Sequence, residues 1–126
     1  MILVDTHTHL FLPEFNPDRD EVVQRAIENG VRYMIVPNVD LETIEPLQNL
    51  CNKYPKNCFP LIGLHPESIK EDFYTQLEAI EKLLYENKFY GIGETGLDYY
   101  WMFLLRNNKK KHLNTRSGLQ FKTVYL

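Results

Sequence analysis

Asp5-Thr6-His7-Thr8-His9 sets two imidazoles one residue apart, directly after an apolar opening run. Alternate side chains of an extended chain share a face, so His7 and His9 point the same way as the chain leaves a strand. Two imidazoles on one side can grip a single divalent cation. Asp5 has the same parity and is placed to orient a ligand or to stand behind one. Glu94 lies in Gly91-Ile92-Gly93-Glu94-Thr95-Gly96-Leu97-Asp98. The glycines allow close backbone approach and sharp turns. A carboxylate there adds hard oxygen beside the imidazole nitrogens and can bridge two metals. His65, in Gly63-Leu64-His65-Pro66, is a candidate to contact a substrate phosphate or hold a metal's water. Asn38, after Pro37, is a weaker candidate substrate contact. Each also has a plain reading, as a hydrogen-bonded loop histidine or a turn acid facing solvent. The aromatic run Tyr99-Tyr100-Trp101 could stack a nucleobase, although packing is its simpler use.

The elements that must position these residues alternate regularly. Met1-Ile2-Leu3-Val4 reads as a strand buried on both faces. A helix opens at Asp18-Arg19-Asp20-Glu21, carries a stripe of Val22, Val23, Ala26 and Ile27, and stops at Asn29-Gly30. Tyr33–Val36 is the second strand, ended by Pro37-Asn38. Asp40 or Thr43 caps a second helix through Cys51, and Cys58–Leu64 forms a third strand. Phe73–Tyr85 is a third amphipathic helix with Leu77, Ile80, Leu83 and Leu84 apolar, and Phe89–Gly93 a fourth strand. Four strands alternating with three helices predict a parallel α/β architecture. The candidate residues all follow strand ends, the active-site face of a TIM (β/α)8 barrel. Such a barrel takes about 250 residues, so the expectation for 126 residues is a partial one.

Composition narrows the class. Apolar residues make up 44% and charged residues 25%, ordinary for a soluble domain. No run approaches the ~20 apolar residues of a membrane span, and no opening stretch reads as a signal peptide. Cys51 and Cys58 have no second pair nearby, so free thiols in a reducing cytoplasm are expected rather than zinc or a disulfide. No obligate protein partner is evident. Residues 1–100 hold seventeen acids against eight Lys and Arg, a net of −9, whereas residues 101–126 carry +6 with no acid. A basic tail of that kind could bind nucleic acid.

Asp5–Leu10, Gly63–Pro66 and Gly93–Asp98, in this order and spacing, resemble the signature segments of the TatD family across residues 1–101. The resemblance implies a TIM-barrel metal-dependent hydrolase of the amidohydrolase superfamily, acting on DNA phosphodiester bonds with a metal-activated water. It implies two divalent ions (Mg, Mn or Zn), with His7 and His9 holding one and Glu94 bridging the pair. His65 and Glu94 would then serve catalysis, and His65 and Asn38 the substrate. The family's remaining ligands, two histidines and an aspartate, lie beyond the fourth strand and are missing here. At most one metal is therefore expected to be held well.

Residues 102–126 depart from the family pattern, which continues with Asp and a long amphipathic helix. Trp is TGG and Met is ATG, so reading one base back across Trp101 and Met102 gives GAT, an Asp. The next shifted codon gives Val, and those across Asn107 to Lys109 give Gln twice unless they are stops. A base lost after the Trp101 codon would explain the charge break, the family break and the short length together. The expectation is then an N-terminal barrel half over 1–101, a frameshifted basic tail over 102–126, and no nuclease activity from the chain as it stands. Two other readings stay open. One is an amidase or phosphoesterase of the same superfamily. The other is a non-catalytic fragment whose basic tail binds nucleic acid.

Overall fold

The computed structural model describes residues 1–69 and 73–94. Its elements are β1 (Leu3–Asp5), a 3-10 turn at Pro13–Phe15, α1 (Arg19–Glu28), β2 (Val31–Pro37), α2 (Ile44–Lys53), β3 (Cys58–Leu61), a second 3-10 turn at Pro66–Ser68 and α3 (Phe73–Glu86). The strands form one parallel sheet in the order β1-β2-β3, with Val4 beside Tyr33 and Met34 beside Cys58. Strand, helix and parallel strand recur as in part of a β/α barrel. The basic tail and the Thr95–Asp98 end of the last motif lie outside the described residues.

One expectation is met in part and one needs correction. Among the described residues the fourth strand is marked by a single parallel bridge between Ile62 and Ile92. The Tyr90 N–H still donates to Pro60 (2.9 Å), the Ile62 N–H to Gly91 (3.1 Å) and the Gly93 N–H to Ile62 (2.8 Å). The segment therefore occupies the fourth place beside β3. However, β1 is not buried on both faces: Leu3 is 38% and Val4 52% exposed. It is the edge of the described sheet and pairs with β2 alone.

Strand parity explains where the core sits. Met34, Val36, Cys58 and Ile62 are buried on one side of the sheet. Val23 of α1 and Leu47, Leu50 and Cys51 of α2 join Met34, Val36 and Cys58 in one cluster, and Ile80 and Leu84 of α3 join Ile62 in a second. Tyr33 is on the opposite parity and packs its ring near Phe59 (5.8 Å), which in turn meets Tyr90 (5.0 Å). Both cysteines are free and buried, and burial pushes their thiols up to about 12 for Cys51 and about 11 for Cys58. They remain inert thiols at neutral pH.

Local chemistry fixes the loops that lead to the site. Gly30, at φ +91°, ends α1 in the left-handed region, where a side chain would be strained. Asp40 and Thr43 tie off the entry to α2: Asp40 Oδ1 accepts from the Thr43 N–H (3.0 Å), and Thr43 Oγ1 accepts from the Asp40 N–H (2.9 Å). Arg19 donates to the carbonyls of Leu10 (2.7 Å), Phe11 (2.8 Å) and Leu12 (3.0 Å), and to Asn16 Oδ1 (2.6 Å). One guanidinium thus holds the loop that follows His9, a task suited to its fixed fork of donors.

Asn38, 1% exposed, clamps the ends of β2 and β3 together. Its amide donates to the carbonyls of Asp40 and Gly63 (both 2.8 Å), and its Oδ1 accepts from the Gly63 N–H (2.6 Å). In Asn38→Ala the N–H and carbonyl of buried Gly63 would lose these partners. Each such loss costs ~1–3 kcal/mol, so a destabilisation on the order of 3 kcal/mol is expected from urea denaturation. A loss below about 0.5 kcal/mol, typical of a surface change, would show that the clamp does not matter.

Candidate metal centre

β1 delivers Asp5 at its end, and the next residues run on beside β2, with the Thr8 N–H donating to the Ile35 carbonyl (3.0 Å). Asp5 does not touch an imidazole here: its Oδ1 accepts from the His7 N–H (3.1 Å) and fixes the backbone between the strand and the histidines. His7 and His9 then face each other, with their Nε2 atoms 3.1 Å apart and their rings edge to face. His9 Nδ1 lies 2.9 Å from the Pro37 carbonyl at the end of β2. A carbonyl only accepts, so Nδ1 carries the proton and Nε2 presents its lone pair to the site. Burial is the main cause holding the His9 pKa below the ordinary 6.5, against the opposing pull of Glu94. His9 is therefore neutral at neutral pH, as a metal ligand must be.

Glu94 arrives from the fourth segment. Gly93 makes that approach possible: a Cβ on it would stand 3.2 Å from Pro37 Cβ and 3.4 Å from Leu61 Cβ, tighter than packing normally permits. Glu94 Oε1 lies 3.2 Å from His7 Nε2, and Oε2 lies 3.8 Å from His9 Nε2 and 3.5 Å from His65 Nε2. The last two are close approaches rather than hydrogen bonds, and among the described residues Oε2 is buried with no hydrogen-bond partner.

All three residues expected as ligands, His7, His9 and Glu94, are thus brought together, each offering an atom within 4.8 Å of the others. A divalent cation fits this set on two observations. One carboxylate oxygen is buried and lacks a donor, and the His9 lone pair is already aimed inward. His65 joins the mouth through Glu94. Asn38 lies close in sequence to this mouth, but both its amide hydrogens are engaged within the fold. The backbone groups at Pro37 and Glu67 that orient His9 and His65 had no sequence signal, since every residue carries a carbonyl and nearly every one an N–H. The Arg19 clamp was also missed, because an Arg in a first helical turn reads as a surface charge.

The chain matches the sequence profile of the TatD-related DNases over residues 4–115. It is 33% identical over 100 residues to the uncharacterized metal-dependent hydrolase YabD of Bacillus subtilis (strain 168), a match covering 79% of this chain and 39% of YabD. It is 31% identical over 97 residues to the 3'-5' ssDNA/RNA exonuclease TatD of Escherichia fergusonii, covering 77% of this chain and 37% of that protein. The crystal structure of YjjV, a TatD homolog from Escherichia coli K12, superposes with a TM-score of 0.77 at 28% identity, over 90% of this chain and 44% of that one. The chain spans about two fifths of the length of the curated relatives it matches. Agreement in sequence and in fold over most of its length leaves one assignment: the chain belongs to the TatD-related DNase family.

Proposed function

We propose that this chain provides one metal-binding half of a metal-dependent phosphodiesterase acting on nucleic acid, with His7, His9 and Glu94 as ligands of one divalent ion. The observation that carries the proposal is the buried Glu94 Oε2, without a hydrogen-bond partner among the described residues, beside two imidazoles whose Nε2 atoms converge. The substrate class draws support from the exonuclease name carried by the TatD relative. Mg²⁺, Mn²⁺ or Zn²⁺ would supply a Lewis acid and a source of nucleophilic water. The chain's own groups do the rest. The Pro37 carbonyl holds the His9 ring in its ligand tautomer, and Asp5 and Arg19 fix the segment on either side of the histidines. His65 faces the mouth beside Glu94 as the substrate contact, while Asn38 serves by locking the two strand ends. Among the described residues no helix is long and apolar enough to cross a membrane. We assign the protein to the cytoplasm on its two free thiols.

Isothermal titration of the 126-residue chain with Mn²⁺ or Zn²⁺ should show one binding event, lost in His7→Ala. Unchanged binding in that variant would remove the assignment. Protons compete for the same lone pairs. Because His9 is held below 6.5 in the folded protein, affinity should weaken as the pH falls below 6.5 and should not weaken above it. Affinity that strengthens on acidification would contradict this.

Three ligand side chains suit one ion, so the 126-residue chain is expected to bind metal without cleaving DNA. A chain carrying one inserted base after the Trp101 codon is expected to cleave it. In that restored chain Glu94→Gln keeps the shape but removes a charge, and activity should fall by orders of magnitude with folding intact. Metal-dependent cleavage by the 126-residue chain, abolished by His7→Ala, would overturn the first expectation. A fully active Glu94→Gln would reduce Glu94 to a turn residue.

A further inference from the structure

We infer that His65 is locked in the opposite tautomer to His9, with its proton on Nε2, and that it acts as a hydrogen-bond donor to a substrate phosphoryl oxygen rather than as a metal ligand. The second part of this inference rests on the metal centre proposed above; the first does not.

The lock is a helix cap. Pro66 begins the Pro66–Ser68 3-10 turn and has no N–H, so Glu67 carries the first backbone donor of that turn. That N–H points back to His65, the N-cap residue, and donates to its Nδ1 at 3.1 Å. An amide N–H only donates, so Nδ1 must present a lone pair and the neutral ring must carry its proton on Nε2. A proton on Nδ1 would face another proton at hydrogen-bond distance. His9 meets the converse partner, a carbonyl at the same ring position. Two imidazoles that face one carboxylate are therefore set to opposite roles by backbone groups alone. His9 shows the site a lone pair and His65 shows it an N–H.

Among the described residues the His65 N–H also has little to bond to. Its Nε2 is 3.5 Å from Glu94 Oε2, an oxygen that makes no hydrogen bond among them. The ring is about three-quarters buried, with 25% of the side chain exposed, so it reaches the mouth from within the fold. Protonated at Nε2, it cannot coordinate a cation through that atom. It can donate to an anionic oxygen held next to Glu94, which for a phosphodiester means a non-bridging phosphoryl oxygen.

The tautomer is read from long-range ¹H–¹⁵N spectra of the metal-free 126-residue protein at neutral pH. His65 should show a protonated Nε2 and a bare Nδ1, and His9 the reverse. A His65 proton on Nδ1 would overturn the lock, and no variant or metal is needed to see it. Zn²⁺ should then perturb the His9 Nε2 resonance and leave His65 protonated at Nε2; a metal-bound His65 Nε2 would overturn the donor role. With Zn²⁺ bound, thymidine monophosphate should bind about tenfold more weakly to His65→Ala, the equivalent of one charge-assisted hydrogen bond. His65→Gln, whose amide keeps a donor, should restore most of that affinity. Zn²⁺ affinity should be the same in both variants as in the parent. Loss of Zn²⁺ binding in His65→Gln comparable with that in His7→Ala would make His65 a ligand after all. Absence of Zn²⁺ binding in the parent would instead remove the metal centre, leaving the tautomer to stand on the spectra alone.

Discussion

Glu94 meets His7, His9 and His65 at 3.2 to 3.8 Å, and one of its oxygens is buried without a hydrogen bond among the described residues. A carboxylate taken out of water has to be met by positive charge or by donors, or it costs several kcal/mol, on the order of an unpaired buried ion. Here the chain brings nitrogens rather than fixed cations. Burial works against placing a proton on His9. The His7 Nε2 atom is near both His9 Nε2 and Glu94 Oε1, so a single proton there serves both neighbours. A divalent cation would meet the same need with more charge and without competing for one proton.

That meeting depends on backbone placement in three strand ends. β2 presents the Pro37 carbonyl to His9, and Gly93 passes so near Pro37 that a Cβ there would crowd it at 3.2 Å. Asn38 holds the β2 and β3 ends in register by bonding Gly63 on both its N–H and its carbonyl. Arg19 fastens the loop after His9 from outside. The candidate ligands themselves sit on short exits from strands, and the rigidity comes from these neighbours.

The site was more legible in the sequence than the sheet that carries it. A His-x-His after a strand fixes side-chain direction by parity alone, and the glycines beside Glu94 announce a close approach, so the three ligand candidates could be read directly. Helix stripes were equally clear: Leu77, Ile80 and Leu84 recur at helical spacing and are buried as that spacing requires. Burial of β1 was not legible, because an apolar run states what a strand prefers and not what lies against it. Leu3 and Val4 are apolar yet exposed at an edge. The fourth strand, read over Phe89–Gly93, is marked among the described residues by one bridge at Ile92. Asn38 read as a polar group at a strand end, the pattern of a substrate contact. Its partners among the described residues are backbone groups, and these leave no trace in residue type. The same limit hid the two contacts that set the His9 and His65 tautomers.

The central claim is that His7, His9 and Glu94 share one cation. An anomalous difference map, measured at the zinc edge from crystals of the 126-residue chain grown with Zn²⁺, tests it most directly. A single strong peak is expected about 2.0–2.1 Å from His7 Nε2 and His9 Nε2 and about 2.0–2.2 Å from a Glu94 carboxylate oxygen, as zinc requires. A peak held elsewhere, or an empty cluster with the three side chains still in place, would contradict it.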